Sequence, residues 1–302
     1  MVNPRNDNLT PVEATNATSK AAGKLSPGLY LVATPLGTAR DITLRALDIL
    51  DAADVIAAED TRSMRRLMEI HGIALRDRPL LAYHDHNGAR MRPKLLAFLE
   101  QGKSVAYGSE AGTAMIADPG FDLARATTAA GYAVISAPGP SAVIMALTVA
   151  GLPTDRFFFA GFLPNSKSQR KTALRSLAAI PGTLVFYESP KRIASMLRDA
   201  AEILGGTRAA AVCRELTKKF EEVLRGDLDE LTEICAARSL KGEIVVVIDR
   251  PSIRLVNDSD LELALKEAFK TKSLRDAVDA VSTETAQARR RVYQLALKMD
   301  VK

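Results

Sequence analysis

Short apolar runs that end in a turn and lead into a helical pattern recur along the first half of the chain. In the first run, residues 29–33 are apolar, Pro35 and Gly37 interrupt them, and leucines recur at helical spacing after Asp41. Asp41 stands where an N-cap is expected, so the stretch predicts a strand, a tight loop and a helix. Repetition of this unit predicts an α/β fold, with a largely parallel sheet covered by helices on both faces.

Changes in pattern divide the 302 residues into segments. We expect a disordered tail over residues 1–24, an α/β domain over 25–152, a second α/β domain over 153–250 and a small helical module over 256–302. The N-terminal segment is polar and has no apolar core of the signal-peptide type, and no apolar run reaches membrane-spanning length. The sequence therefore predicts a cytoplasmic protein without a membrane anchor.

Composition limits the partners that the chain can have. Lys and Arg number 41 against 36 Asp and Glu, and this basic excess permits an anionic partner such as RNA without requiring one. The chain has no Trp, which argues against a platform of aromatic rings for single strands. Cys213 and Cys235 have neither a disulfide pattern nor metal-type spacing, so we expect buried thiols and no metal.

Two polar groups follow predicted strands and are candidates for chemistry. Glu59 and Asp60 could supply a general base, with Arg62 holding a phosphate or a developing negative charge. A helix N-cap or a structural ion pair explains the same acidic pair equally well. His84 and His86 are expected on one face of a strand as a base, an RNA contact or a metal pair, the metal being least favoured because no third ligand is near.

Further candidates lie in the second half of the chain. Glu188 ends a predicted strand and could contact substrate, or else cap the helix that follows Pro190. Basic residues occur in clusters, each most simply a solvated helix face, although several clusters facing one cleft would form a track for RNA. These clusters are Arg62, Arg65 and Arg66; Lys167, Arg170, Lys171 and Arg175; Lys191 and Arg192; and Arg289, Arg290 and Arg291.

A series of short motifs occurs in order between residues 28 and 249. They are Tyr30-Leu-Val-Ala-Thr-Pro-Leu-Gly, Asp41-Ile-Thr-Leu-Arg-Ala-Leu, Ala58-Glu-Asp-Thr-Arg, His84-Asp-His-Asn, Ala111-Gly-Thr, Asp118-Pro-Gly, Pro138-Gly-Pro-Ser-Ala, Phe186-Tyr-Glu-Ser-Pro and Arg214-Glu-Leu-Thr-Lys. Together they closely resemble the tetrapyrrole (corrin/porphyrin) methylase family, and within it the 16S rRNA (cytidine-2′-O)-methyltransferases. The ordered series is far more specific than any one motif.

The resemblance implies S-adenosylmethionine as methyl donor, a cofactor cleft between the two α/β domains, and a homodimer. The implied activity is methylation of a cytidine ribose 2′-hydroxyl in the decoding region of 16S rRNA, with the small ribosomal subunit as the partner. The cofactor contacts that it implies are Pro35, Gly37, Ser109, Glu110, Ala111, Gly112, Met115, Ile116, Pro138, Gly139, Pro140, Ser141, Tyr187, Arg214 and Gly242. Substrate contacts are predicted at His84, His86, Glu188 and Arg192. Turn chemistry alone would explain each glycine and proline taken singly.

Methyl transfer from a sulfonium to a hydroxyl oxygen is an in-line displacement, so positioning of donor and acceptor can supply most of the catalysis. Ala111 and Gly112 are small enough to let the backbone approach a cofactor, and Glu110 can bind a ribose or an ammonium group. The chain departs from the family pattern where it has Thr38 in place of Asn, Glu110 in place of Asp, Ala114 in place of Pro and Lys191 in place of His.

Two other functions are compatible with the same residues. One is a small-molecule methylase of the tetrapyrrole type, and the other is a non-catalytic RNA-binding or assembly factor on a methylase fold. The Ala58-Glu-Asp-Thr-Arg and Phe186-Tyr-Glu-Ser-Pro motifs and the basic helical tail favour RNA as the substrate. Binding of S-adenosylmethionine would separate the enzymes from the assembly factor.

Overall fold

The structure is a computed structural model that describes residues 23–116, 120–251, 258–285 and 287–299. These residues group into two compact units. The first holds the described residues up to Val149 together with Cys213–Glu222, and the second holds Ala150–Val212 and the described residues from Val223 onward. The domain boundaries predicted from the sequence stay predictions, because this grouping does not test which parts fold alone. Nearly all of the predicted tail lies outside the described residues.

A five-stranded parallel sheet is the frame of the first unit, with strand order β3-β2-β4-β1-β5. Strands and helices alternate along the chain, as the sequence predicted. They are β1 (Gly28–Val32), α1 (Leu44–Ala52), β2 (Val55–Ala58), α2 (Thr61–Ile70), β3 (Leu80–Ala82), α3 (Gly88–Glu100), β4 (Ser104–Gly108), α4 (Gly120–Ala129), β5 (Val134–Ala137) and α5 (Ala142–Ala150).

Helices cover both faces of this sheet, which explains why β1, β2 and β4 are buried along their whole length. On one face, α1 and α2 pack through residues such as Leu50 and Met68. On the other face, α3 and α4 pack through residues such as Leu95 and Leu123. After β2 the chain continues into α2 on one face of the sheet, and after the neighbouring strand β4 it continues into α4 on the other face. This change of face between neighbouring strands opens a crevice at the carboxyl edge of the sheet.

The start of α1 differs from the prediction that Asp41 is its N-cap. The Asp41 N–H donates to the Thr38 carbonyl at 2.9 Å, which folds residues 38–41 into a turn. The chain becomes helical only after Thr43, whose hydroxyl accepts from the Ala46 N–H at 3.2 Å. Thr43 is therefore the N-cap, and the prediction was wrong because a turn precedes the helix.

The second unit contains another five-stranded sheet, with order β6-β7-β10-β8-β9. Here β7 runs parallel to β6 and antiparallel to β10. Strands β8 and β9 are neighbours in this sheet. The elements are β6 (Phe157–Phe162), α6 (Lys167–Leu177), β7 (Thr183–Glu188), α7 (Ile193–Leu204), β8 (Ala209–Arg214), β9 (Glu222–Asp227), α8 (Leu228–Ala236) and β10 (Ile244–Ile248).

A small helical module follows: α9 (Asp258–Phe269), α10 (Leu274–Thr285) and α11 (Arg289–Lys298). Its helices share an apolar core that includes Leu265, Val278 and Val292. None of the helices in the described ranges combines the length and hydrophobicity that a membrane span requires. Both cysteines are buried free thiols, as predicted.

Candidate functional site

Hydrogen bonds join the loops that follow β1, β4 and β5 at the carboxyl edge of the first sheet. The Thr34 N–H donates to the Gly112 carbonyl at 2.9 Å, and the Gly112 N–H donates to the Thr34 carbonyl at 3.0 Å. The Thr113 hydroxyl donates to the Pro140 carbonyl at 2.8 Å. The structure thereby brings together the predicted cofactor residues of three loops, which are Pro35 and Gly37, Ser109 to Ile116, and Pro138 to Ser141.

The glycines in these loops serve contacts between the loops. Gly112 has φ of +80°, and a Cβ there would lie 3.1 Å from Leu36 Cδ2 and 3.5 Å from the Pro140 carbonyl oxygen. A Cβ on Gly139 would lie 2.8 Å from the Cβ of Ala33. Leu36 and Pro140 therefore border the space where a Gly112 side chain would stand, and the role of Gly112 toward a cofactor stays a prediction.

Gly37 is required for a contact with the loop after β8. A side chain on Gly37 would overlap Lys218 and come within 3.0 Å of the Thr217 hydroxyl. Thr38 completes the contact, since its hydroxyl donates to the Thr217 carbonyl at 2.6 Å and its N–H donates to the Thr217 hydroxyl at 3.3 Å. Glu215 and Thr217 have positive φ of 52° and 64°, a conformation that non-glycine residues keep only where their surroundings stabilise it.

A hydrogen bond between Glu59 and Glu110 crosses the crevice between β2 and β4. The Glu110 N–H donates to Glu59 Oε2 at 3.0 Å, and the Glu59 N–H donates to the Gly108 carbonyl at 3.2 Å. Glu59 therefore holds the start of the loop over residues 109–116. The exposed Glu110 side chain projects from the same point.

Asp60 is the N-cap of α2. Its carboxylate accepts from the N–H groups of Arg62 at 2.7 Å and Ser63 at 3.3 Å, and it forms an ion pair with the Arg62 guanidinium at 2.9 Å. The side-chain hydrogen bond from Arg62 is the main cause that lowers the pKa of Asp60 to about 2, with the two backbone N–H groups adding to it. Such a weak base is a poor acceptor for a substrate proton, so the N-cap alternative describes Asp60 better than catalysis does.

A cavity of about 480 Å³ opens beside these residues, entirely within the first unit. One wall comes from the loops that follow β1 and β4, and the opposite wall comes from α2 and its N-cap. The loop wall contains Thr34, Pro35, Gly37, Ala39, Ser109 and Glu110. The helix wall contains Asp60, Arg62, Ser63, Met64, Arg66, Leu67 and Ile70.

Only the charged residues of the helix wall were candidates from the sequence, and its apolar residues were missed as a binding surface. Ser63, Arg66, Leu67 and Ile70 follow the spacing i, i+3, i+4, i+7, so they lie on one face of α2. No role was predicted for the apolar members of that face, and Ile70 is 50 % exposed. Polar residues mixed into an apolar stripe were the signal that could have identified it.

The predicted strand position of His84 and His86 was wrong. Strand β3 ends at Ala82, because the Asn87 side chain folds the following residues into a turn. Asn87 accepts from the His84 N–H at 3.0 Å and donates to the Ala82 carbonyl at 3.0 Å. The two imidazole centroids are 6.0 Å apart, and within the described ranges no group of three possible ligands could hold a metal ion.

Glu188 and Arg192 form an ion pair within the second unit. The Glu188 side chain is fully shielded and lies 3.2 Å from the Arg192 guanidinium. Its burial raises the pKa of its carboxyl group. Arg192 also donates to the Leu163 carbonyl at 2.6 Å. The predicted substrate contacts at both residues stay predictions, since the bonds seen are internal to this unit.

Two members of one basic cluster, Arg170 and Lys171, are not solvated as predicted, whereas Lys167 and Arg175 of the same cluster are exposed. The Arg170 side chain is only 6 % exposed and lies 2.7 Å from the buried carboxylate of Asp199. Lys171 is likewise ion-paired, with Glu202 at 2.5 Å. Arg170 therefore stabilises the interior of the second unit and is not available to a phosphate.

The remaining predicted cofactor residues have local partners of their own. Burial raises the pKa of Tyr187 to about 12, and its ring packs 4.8 Å from that of Phe159. Arg214 is ion-paired with Glu222 at 3.1 Å, and Gly242 has φ of +91°. Their roles toward a cofactor stay predictions.

The sequence model of the tetrapyrrole (corrin/porphyrin) methylases matches residues 28–232. The fold agrees, since the chain is similar to a cobalt precorrin-4 methyltransferase with TM-score 0.56, 17 % identity and coverage of 73 % of this chain and 94 % of that one. It is also similar to the uroporphyrin-III C-methyltransferase of Thermus thermophilus complexed with S-adenosylhomocysteine, with TM-score 0.53, 19 % identity and coverage of 74 % and 97 %. The chain therefore belongs to the tetrapyrrole methylase family, and the resemblance and the α/β fold predicted from the sequence are confirmed.

Within that family, the chain is similar to proteins named ribosomal RNA small subunit methyltransferase I. That of Mesorhizobium japonicum is 44 % identical over 92 % of this chain and 94 % of its own length. That of Escherichia coli O157:H7 is 44 % identical over 73 % of this chain and 77 % of its own length. The similarity thus extends over nearly the whole chain.

Proposed function

We propose that this protein transfers the methyl group of S-adenosylmethionine to the 2′-hydroxyl of a cytidine ribose in the decoding region of small-subunit 16S rRNA. The observation that carries the proposal is the 44 % identity, over 92 % of the chain, to a ribosomal RNA small subunit methyltransferase I. The likeness to methylases that act on tetrapyrroles is below 20 % in identity and supports only the shared fold.

The residues at the carboxyl edge fit S-adenosylmethionine chemically. The exposed carboxylate of Glu110 suits the ammonium group of the methionine moiety. Ile116 is 41 % exposed and offers apolar surface, while the backbone groups of residues 109–116 offer hydrogen bonds. When bound there, S-adenosylmethionine supplies an electrophilic methyl group on its sulfonium.

The chain contributes positioning to the reaction. The ribose O2′ forms a bond to the methyl carbon as the carbon–sulfur bond breaks, and the hydroxyl proton leaves to solvent. Glu59 holds the N–H of Glu110, so its carboxylate fixes the loop that carries the proposed cofactor contacts. Because near-attack geometry can supply most of the acceleration, we assign Glu59 a positioning role and Asp60 the capping of α2.

The assembly, partner and location of the protein are part of the same proposal. We propose a homodimer, supported by the wholly uncharged helix α5, in which Ile144 is 50 % exposed. We propose the small ribosomal subunit as the partner that presents the RNA. We also propose a cytoplasmic location, because ribosomal RNA is its substrate. Sedimentation of the purified protein tests the homodimer.

The decisive experiment maps 2′-O-methyl groups on 16S rRNA from cells with and without the gene. The purified protein and labelled S-adenosylmethionine should restore the missing mark on small subunits from the deletion strain. An unchanged map would overturn the proposal. Calorimetry with S-adenosylmethionine separates the alternatives, since an assembly factor need not bind it and a tetrapyrrole methylase would bind it without restoring the mark.

A further inference from the structure

We propose that the cavity beside α2 receives the acceptor nucleotide, with the nucleotide turned out of its stack and lying against the exposed face of the helix. This inference rests on the proposed function. It adds a site for the acceptor on one face of α2, formed largely by residues Ser63, Arg66, Leu67 and Ile70, of which the sequence pointed only to Arg66, as a member of a basic cluster.

The size of the cavity suits one nucleotide. Its volume of about 480 Å³ lies in the range of roughly 300–1,000 Å³ that is usual for small-ligand sites. A base in a stacked helix is covered by its neighbours and cannot enter a concave site of this kind. Enzymes that do chemistry on a base act on an unstacked or extruded nucleotide for the same reason.

The lining of the helix wall matches the parts of a nucleotide. Leu67 is half-buried and Ile70 is 50 % exposed, and together they offer apolar surface to a base or to the ribose ring. Ser63 and Arg66 lie on the same face and supply hydrogen-bond donors. This combination of an apolar floor and a few polar groups is typical of ligand sites.

The exposed arginines of the helix wall suit the acceptor nucleotide better than they suit the methyl donor. The side chains of Arg62 and Arg66 are 91 % and 73 % exposed, so both reach solvent at the cavity. S-adenosylmethionine carries a positive sulfonium, a positive ammonium and one carboxylate, and it has no phosphate. Arg62 and Arg66, which also pair with Asp60 and Glu69, can bind the phosphates that flank a nucleotide in RNA, and the donor has no such group.

The position of the cavity fits transfer from one ligand to the other. Its opposite wall is formed by Pro35, Ser109 and Glu110, which belong to the proposed cofactor loops. A nucleotide on the helix wall would therefore face the donor across the crevice at the carboxyl ends of β1, β2 and β4. Ligands of open α/β sheets bind in crevices of this type.

The test compares Ile70→Glu with Leu44→Glu, using unmethylated small subunits and S-adenosylmethionine as probes. Both residues are exposed aliphatic side chains on helices, but Leu44 does not line the cavity. Ile70→Glu should raise the KM for small subunits at least about tenfold while the calorimetric Kd for S-adenosylmethionine stays within about twofold. Leu44→Glu should leave both constants near those of the wild type.

A second variant, Leu67→Gln, removes the apolar contact without adding charge and should raise the same KM by about threefold or more. A change in the Kd for S-adenosylmethionine beyond about threefold in Ile70→Glu would assign the cavity to the donor and overturn the inference. Equal behaviour of Ile70→Glu and Leu44→Glu would overturn it as well. Failure of the proposed function is distinguishable, because the wild-type protein would then not methylate the subunits.

Discussion

The carboxylate of Glu59 accepts a hydrogen bond from the backbone N–H of Glu110 at 3.0 Å, although 51 residues separate the two in the chain. This bond spans the crevice between neighbouring strands whose chains depart to opposite faces of the sheet. It makes Glu59 a support for the loop over residues 109–116, while the role of Glu59 as a general base stays a prediction. The position of that loop therefore depends on Glu59.

The amide oxygen of glutamine can accept the same N–H, so Glu59→Gln should keep kcat and the KM for S-adenosylmethionine within about threefold of the wild type. Glu59→Ala loses the acceptor and should raise that KM by about tenfold. Steady-state kinetics between about pH 6 and 9 measure both variants. If Glu59 removed the proton, Glu59→Gln would instead lose about a hundredfold or more in kcat with little change in KM.

Stability should depend on pH through Asp60 only in strong acid. The pKa of Asp60 is depressed from 3.8 to about 2, so its stabilising effect is complete above the unfolded value and is lost as the pH falls through about 2. Asp60→Ala should lower the thermal midpoint by a similar amount at every pH from about 5 to 8. Asp60→Asn keeps an N-cap oxygen and should stay closer to the wild type. Circular dichroism measures the midpoints, and a loss in Asp60→Ala that appeared only above neutral pH would contradict the N-cap role.

Charge reversal at the cavity rim should weaken RNA binding with a specific salt signature. In Arg62→Glu with Arg66→Glu, the plot of log K against log salt for 16S rRNA should become flatter by roughly 0.7 for each phosphate that the variant no longer binds. Affinity for S-adenosylmethionine should change little. Filter binding at several salt concentrations gives the slope.

The matched control for that experiment is Arg45→Glu with Arg90→Glu. Both arginines are exposed residues of the first unit that do not line the cavity, and the change in net charge is the same. The slope of the control should stay near that of the wild type. Equal slopes for the two double variants would assign Arg62 and Arg66 to general surface charge.

The buried ion pair of Arg170 and Asp199 should contribute strongly to the free energy of unfolding of the second unit. Arg170 and Asp199 are 6 % and 3 % exposed, so Arg170→Met leaves a buried carboxylate without its partner and should cost about 3–5 kcal/mol. Replacing both residues, as Arg170→Met with Asp199→Leu, should cost much less than the single change. Urea denaturation compares the wild type, the single variants Arg170→Met and Asp199→Leu, and the double variant, and additive losses would show that the two side chains act independently.

Much of the first unit could be predicted from the sequence because its strands are short and wholly apolar and its loops have strong turn residues. The order of the motifs also identified the loops that meet at the carboxyl edge. The features that could not be predicted depend on residues that are far apart in the sequence and adjacent in the fold. From the sequence alone Arg170 is expected to be a solvated helix residue, whereas in the fold it lies beside the buried Asp199. The roles of Gly112 and Gly139 likewise depend on Leu36 and Ala33.

Local competition explains the smaller errors. Asp41 and Thr43 both suit an N-cap, and only the turn over residues 38–41 decides between them. The histidines at 84 and 86 alternate as strand residues would, but Asn87 ends the extended conformation before them. The cavity was missed because an exposed Ile70 looks like a core residue when only its spacing is known.

The contact between Thr38 and Thr217 sets an order of events during synthesis of the chain. The two residues are 179 positions apart, so the loop after β1 lacks this partner while the ribosome is still translating the segments between them. At about 5–20 residues per second, the wait lasts roughly 10 to 40 s. Strand β1 is thus followed by a proposed cofactor loop that gains this contact only after residue 217 has been translated. A nascent chain stalled before residue 217 should hold its sheet but leave residues 36–39 open to protease.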